Sequence, residues 1–92
     1  MKVYVYKEFN DSYAYGEELI EVYAKREDAV ARLKKQVEEH FDNEYTFDQL
    51  LANDDTGEYI WDPNDDHVSD DYVSLNEGGD GIFFIVEEHM VL

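Results

Sequence analysis

The chain has 92 residues, a formal net charge of −17 and no cysteine. That length makes one domain with a modest core, and an apolar fraction of 43% with fourteen aromatic residues argues against a disordered acidic tail. The absence of cysteine removes disulfides, thiolate metal sites and cysteine nucleophiles and suits a reducing, cytoplasmic compartment, while the sign of the charge excludes direct nucleic-acid binding and disfavours anionic membranes.

Lys2 to Phe9 alternates, with Val3, Val5 and Phe9 on one face and Tyr4 and Tyr6 on the other, which predicts a strand rich in β-branched and aromatic side chains. The opening Met-Lys-Val-Tyr-Val-Tyr-Lys is too short and too alternating for the apolar core of a signal peptide, and no later stretch approaches the roughly 20 apolar residues that cross a bilayer. Asn10 to Gly16 is turn chemistry bearing Tyr13 and Tyr15, and Leu19 to Ala24 alternates again, so a hairpin is predicted. From Arg26 the period becomes helical. Val30, Leu33, Val37 and Phe41 form one stripe, with Glu27 and Asp28 in the first turn where acids favour the helix dipole.

Thr46-Phe47-Asp48-Gln49 matches a capping box and starts a short second helix to about Asn53, burying Phe47, Leu50 and Leu51. Asn53 to Gly57 breaks the chain, Glu58 to Trp61 is a strand candidate, and Asp62 to Asp66 is a turn. Asp71 to Leu75 and Gly81 to Glu88 read as strands joined by Asn76-Glu77-Gly78-Gly79-Asp80. Ile82 to Val86 is apolar on both faces and belongs at the centre of the sheet under the main helix. The order β-β-α-α-β-β-β predicts a two-layer α+β domain spanning residues 1–92: an antiparallel sheet of four to five strands with one main amphipathic helix on one face.

Charge is partitioned along this plan. All seven Lys and Arg lie between Lys2 and Lys35, where seven acids balance them, and the remaining seventeen acids carry the net charge alone. Self-repulsion of that size works against a compact state, and its physical uses are solubility or attraction to a cationic partner.

Few chemical motifs compete with that signal. Asp62, Asn64 and Asp66 place oxygens at alternate positions as a Ca²⁺ loop does, but His67 stands where the loop needs Gly and Val73 where it needs the bidentate Glu. His40, His67 and His89 share no spacing that would put two ligands on one face, so isolated surface histidines are expected. Adjacent carboxylates such as Glu38/Glu39 and Asp54/Asp55 do not face each other across a cleft as glycosidase chemistry requires. Gly78-Gly79-Asp80-Gly81 lacks the Lys and Ser/Thr of a phosphate loop and reads as a turn. A non-enzymatic protein without a cofactor is expected.

Seventeen charges at duplex DNA's spacing correspond to about 29 Å of helix axis, a length comparable with such a domain. In charge, size, lack of cysteine and α+β plan, the chain resembles the small acidic inhibitors that phages and mobile elements direct against host nucleases, the anti-CRISPR and anti-restriction proteins. The resemblance implies a basic, nucleic-acid-handling partner and a DNA-mimicking surface, and it transfers no site residues. From the charge itself, Asp54, Asp55, Glu58, Asp62, Asp65, Asp66, Asp70 and Asp71 are the expected contact acids, with Tyr13 and Tyr15 as aromatic anchors. An immunity or antitoxin-type protein neutralising one basic toxin is the alternative. It would use a compact Tyr or Trp hot spot ringed by acids, with Tyr45, Tyr59, Trp61 and Tyr72 as further candidates. A Ca²⁺-binding module at Asp62 to Asp71 is the third reading.

Overall fold

The computed structural model describes residues 1–10, 18–53, 58–77 and 80–92, with the backbone alone described at 77 and 80. Strands β1 (Lys2–Asn10) and β2 (Leu19–Tyr23) precede helices α1 (Arg26–His40) and α2 (Phe47–Ala52), and strands β3 (His67–Val68), β4 (Tyr72–Glu77) and β5 (Asp80–Met90) follow. They form one antiparallel five-stranded sheet in the order β2-β1-β5-β4-β3. The α+β plan and the central place of the Ile82 to Val86 segment are as the pattern predicts.

The strand period of two divides each strand between two faces. Tyr6 of β1 lies opposite Glu21 of β2 and Val86 of β5, and Val73 of β4 opposite Phe84 of β5. Tyr6, Val73, Leu75 and Phe84 are buried on this inner face against Leu33 and Val37 of α1 and Phe47 and Leu50 of α2. The α1 stripe is Ala29, Val30, Leu33 and Val37, with Phe41 half-buried beyond its end. Burying a side chain the size of Leu or Phe contributes roughly 1.5–3 kcal/mol, so these few contacts dominate the stability of so small a domain.

Both helices end in left-handed backbone at residues that tolerate it. Asp42 and Asn43 (φ 58° and 57°) reverse the chain after α1, with the Asn43 N–H donating to the Glu38 carbonyl at 2.9 Å. Asn53 (φ 49°) ends α2. At the start of α2 the capping box is complete: the Gln49 N–H donates to Thr46 Oγ1, and the Thr46 N–H to Gln49 Oε1.

Leu51, expected to be buried with Phe47 and Leu50, is instead 42% exposed on the outer side of α2. One element also differs from the expectation. The third strand is His67–Val68 and not Glu58 to Trp61. A ladder needs free backbone N–H groups, and those of Ile60 and Trp61 are both taken by the Asn53 side chain. Val68, the one aliphatic side chain between Asp62 and Asp71, reaches the core at 8% exposure and pairs its strand with β4. Glu77 and Asp80 are register partners, so the β4–β5 connection is tighter than the five residues expected. No described helix is long and apolar enough to cross a membrane.

Candidate functional site

Between Glu38 and Asp66 the chain holds eleven acids and no Lys or Arg. The described residues of this segment run from the end of α1 through α2 and, from Glu58, along the loop before β3, with Phe47, Leu50, Ile60 and Trp61 packing on the helical side of the sheet. Asp42, Glu44, Asp48, Glu58 and Asp65 are exposed along it.

Polar side chains fix the backbone that carries these charges. Glu38 Oε2 accepts the Phe47 N–H at 2.7 Å, tying the end of α1 to the start of α2. Asn53, 7% exposed, is the one buried polar residue among those described. Its Oδ1 accepts the N–H groups of Ile60 and Trp61, each at 3.0 Å, and its Nδ2 donates to the Trp61 carbonyl at 3.0 Å. The Trp61 indole N–H then donates to the Leu50 carbonyl at 2.7 Å, so helix and loop are clamped from both sides. Further on, Asp62 Oδ1 accepts the Asn64 N–H, while Asp66 accepts from Asp62 through one oxygen and from Asn76 of β4 through the other. Side chains locked in this way present exposed charges at low entropic cost, because the backbone beneath them is already ordered.

The expected contact acids therefore fall into different roles. Asp54, Asp55, Tyr13 and Tyr15 lie outside the described residues. Glu58 and Asp65 are exposed and unpaired among the described residues, and Asp62 is exposed with one oxygen engaged by its own turn. Asp66 is a backbone staple. Asp70 and Asp71 both face the Arg26 guanidinium, at 3.5 and 3.7 Å, so part of their charge is already balanced. Asp42, Glu44 and Asp48 join the surface, and their only sign in the sequence is the run of acids without bases after Lys35.

Of the oxygens that suggest a Ca²⁺ loop, one of Asp62 and one of Asp66 accept backbone N–H groups of the loop itself and the other of Asp66 accepts from Asn76 of β4, and β3 begins at His67 in the middle of that stretch. Among the described residues no group of three or more His, Asp or Glu side chains converges as a metal cage. The histidines are dispersed: His40 packs edge-on to Phe41 and Phe84, His67 lies against Tyr72, and His89 Nε2 sits 3.0 Å from Glu87 Oε2. Of the aromatic anchors considered, Trp61 and Tyr45 pack against the core, whereas Tyr59 is 72% exposed next to Glu58.

Lys34 lies over the Phe47 ring at the start of α2, 5.6 Å from its centroid, and four other basic side chains are engaged elsewhere. Lys2 pairs with Glu88, Lys7 with Glu87, Arg26 with Asp70 and Asp71, and Arg32 with Glu21. Exposed pairs of this kind contribute little each, about 0–1 kcal/mol. The Arg32–Glu21 contact, at 2.8 Å, also receives the Tyr23 hydroxyl, and Arg32 lies over the Tyr6 ring. The Arg32 hydrogen bond first, and that from Tyr23 second, hold the Glu21 carboxyl below the usual carboxylate range. Burial, and then the Glu8 carboxylate that accepts its hydroxyl proton, push Tyr6 well above the ordinary tyrosine value.

Both the Glu21 pairing and the net charge bear on stability. A depressed carboxyl contributes stability that is complete above its unfolded value and is lost as pH falls through its folded one. The Tm difference between the native chain and Glu21→Gln is therefore expected to be widest near neutral pH and to close in acid, and a gap that widens on acidification would contradict the Arg32 assignment. Raising NaCl from about 0.1 to about 1 M shrinks the Debye length from about 10 to about 3 Å. Thermal melts should then show a higher Tm, because repulsion within a chain of net charge −17 is screened more than its few pairs are weakened.

Compared with known protein families, curated proteins and solved structures, the chain matches none of them.

Proposed function

We infer that this protein is a non-enzymatic, cytoplasmic inhibitor that covers the nucleic-acid-binding surface of a basic protein, its carboxylates standing in for phosphates. One observation carries the reading: a segment with eleven acids and no Lys or Arg, nine of them among the described residues, whose described backbone is fixed by Glu38, Asn53, Trp61 and Asp66. A solubility device has no need of a fixed geometry, whereas imitation of a duplex does, since phosphates are spaced by a rigid helix. The eleven charges of this segment represent about 19 Å of duplex axis, and the molecule, at 48 × 32 × 22 Å, is long enough to span it. Resemblance in surface character to anti-CRISPR and anti-restriction proteins points to a host nuclease as the class of target.

The exposed Tyr59 beside Glu58 favours a second reading, an immunity-type protein that seats one aromatic anchor in a basic toxin. Affinity capture from host lysate at low and moderate salt, with mass spectrometric identification, tests the primary reading. A basic nucleic-acid-binding protein retained at low salt and released as salt rises is expected. Capture of a single partner that is indifferent to salt and no longer retained by Tyr59→Ala would replace mimicry with the anchored-toxin reading.

A further inference from the structure

The sheet has a second face, and among the described residues no helix or strand packs over it: α1 contacts β1, β2 and β5 from the inner side only. Val5, Phe9, Val22, Tyr72, Phe83 and Ile85 alternate with the buried set and point to this outer face. Phe9 and Phe83 stack across β1 and β5 at 4.8 Å, while Val22 is 63% and Tyr72 38% exposed. About a dozen outward side chains at sheet spacing cover roughly 400 Å² in projection and about half as much again in accessible surface. Eight of them, the six above with Val3 and Ile20, are apolar, and their share of that surface, about 400 Å², lies within the range of apolar patches a monomer leaves bare, about 300–600 Å².

Charge identifies the occupant. Among described strand positions the only acid on the outer face is Glu87, and its carboxylate is held by Lys7 at 3.1 Å and His89 at 3.0 Å. Glu18 stands at the rim beside Lys7 and Ile85. In a chain with 24 acids, a face meant for a basic partner would carry them. Exclusion of acids suits a partner that repels this molecule everywhere else, and that partner is a second copy.

We propose that two copies pair face to face through the outer surfaces of their sheets, related by a two-fold axis. The face is self-complementary: each copy brings the same apolar strip and one cation and one anion, Lys7 and Glu87, to its middle strands. Two such faces bury about 1,200 Å², the lower end of the range for stable interfaces. Both helical layers, with their acidic surfaces, then face outward, so the dimer presents two anionic sides and leaves the inhibitory surface of each copy open.

Sedimentation equilibrium of the full chain from about 1 μM to about 1 mM decides the matter, run at about 0.1 and about 1 M NaCl. A monomer–dimer equilibrium that tightens at least tenfold at the higher salt is expected, because screening relieves repulsion between two bodies of like charge. Val22→Glu and Tyr72→Glu, on opposite sides of the face, should each weaken it at least tenfold, with circular dichroism and Tm verifying that both variants fold. A chain monomeric at every concentration and salt overturns the proposal. So does association that weakens with salt, or that is abolished in Val22→Glu and kept in Tyr72→Glu, the signature of edge-to-edge pairing through β2.

Discussion

Asn53→Ala is expected to destabilise the fold by roughly 3 kcal/mol, a large share of the total for a domain of this size. Two effects combine. Alanine in the left-handed backbone that ends α2 (φ 49°) costs about 1–2 kcal/mol. Truncation also removes the partner of the Ile60 and Trp61 N–H groups and of the Trp61 carbonyl, in a part-buried site where each unsatisfied group costs roughly 1–3 kcal/mol unless water reaches it. In chemical denaturation the midpoint should fall with m unchanged, and Tm should drop by roughly 12 °C or more. Asn53→Gly separates the two causes, since glycine accepts the left-handed geometry and forfeits only the clamp. If Asn53→Ala and Asn53→Gly were equally and only slightly destabilised, the loop would be held by something other than this side chain.

Converting Asp48 and Asp65 to Asn and Glu58 to Gln in one chain is expected to lower affinity for the basic partner tenfold to about a hundredfold at low salt, since each exposed charge removed weakens binding by up to about 1 kcal/mol. The salt dependence of binding should flatten as well, because fewer charges remain to be screened. These three acids make no hydrogen bond or ion pair through their side chains among the described residues, unlike Asp66, Asp70 and Asp71, whose replacement would also disturb the backbone staple or the Arg26 pairs. Tm should therefore hold or rise as repulsion falls; the removal of a charge at Asp48, in the first turn of α2, works against this by only about 0.3–1 kcal/mol. Unchanged affinity and salt slope would exclude this surface from the interaction.

Much of the scaffold is legible in the sequence because its signals are local. Alternation around Tyr6, the Val30-Leu33-Val37 stripe and the Thr46–Gln49 box each act within a few residues, and each forms as its spacing implies. What escapes depends on contacts between distant parts of the chain. Glu58 to Trp61 has the composition of a strand, yet Asn53 takes its amides before a neighbouring strand can. His67–Val68 looks like acidic loop, yet one valine finds the core and recruits β4. The acids pose the same difficulty. Composition gives their number, but it does not distinguish Asp66, which braces β4, or Asp70 and Asp71, which share Arg26, from Asp65, which faces solvent. Similarly, a β5 that is apolar on both faces implies cover on both sides, and α1 covers one.

The central claim, that this anionic surface occupies a nucleic-acid site, is tested most directly by titrating duplex DNA into the complex of this protein with its captured partner and following both by size-exclusion chromatography. Mutual exclusion is predicted: DNA releases the protein in proportion to its own affinity, and excess protein releases the DNA. A ternary complex, with both bound at once and neither weakened, would contradict it.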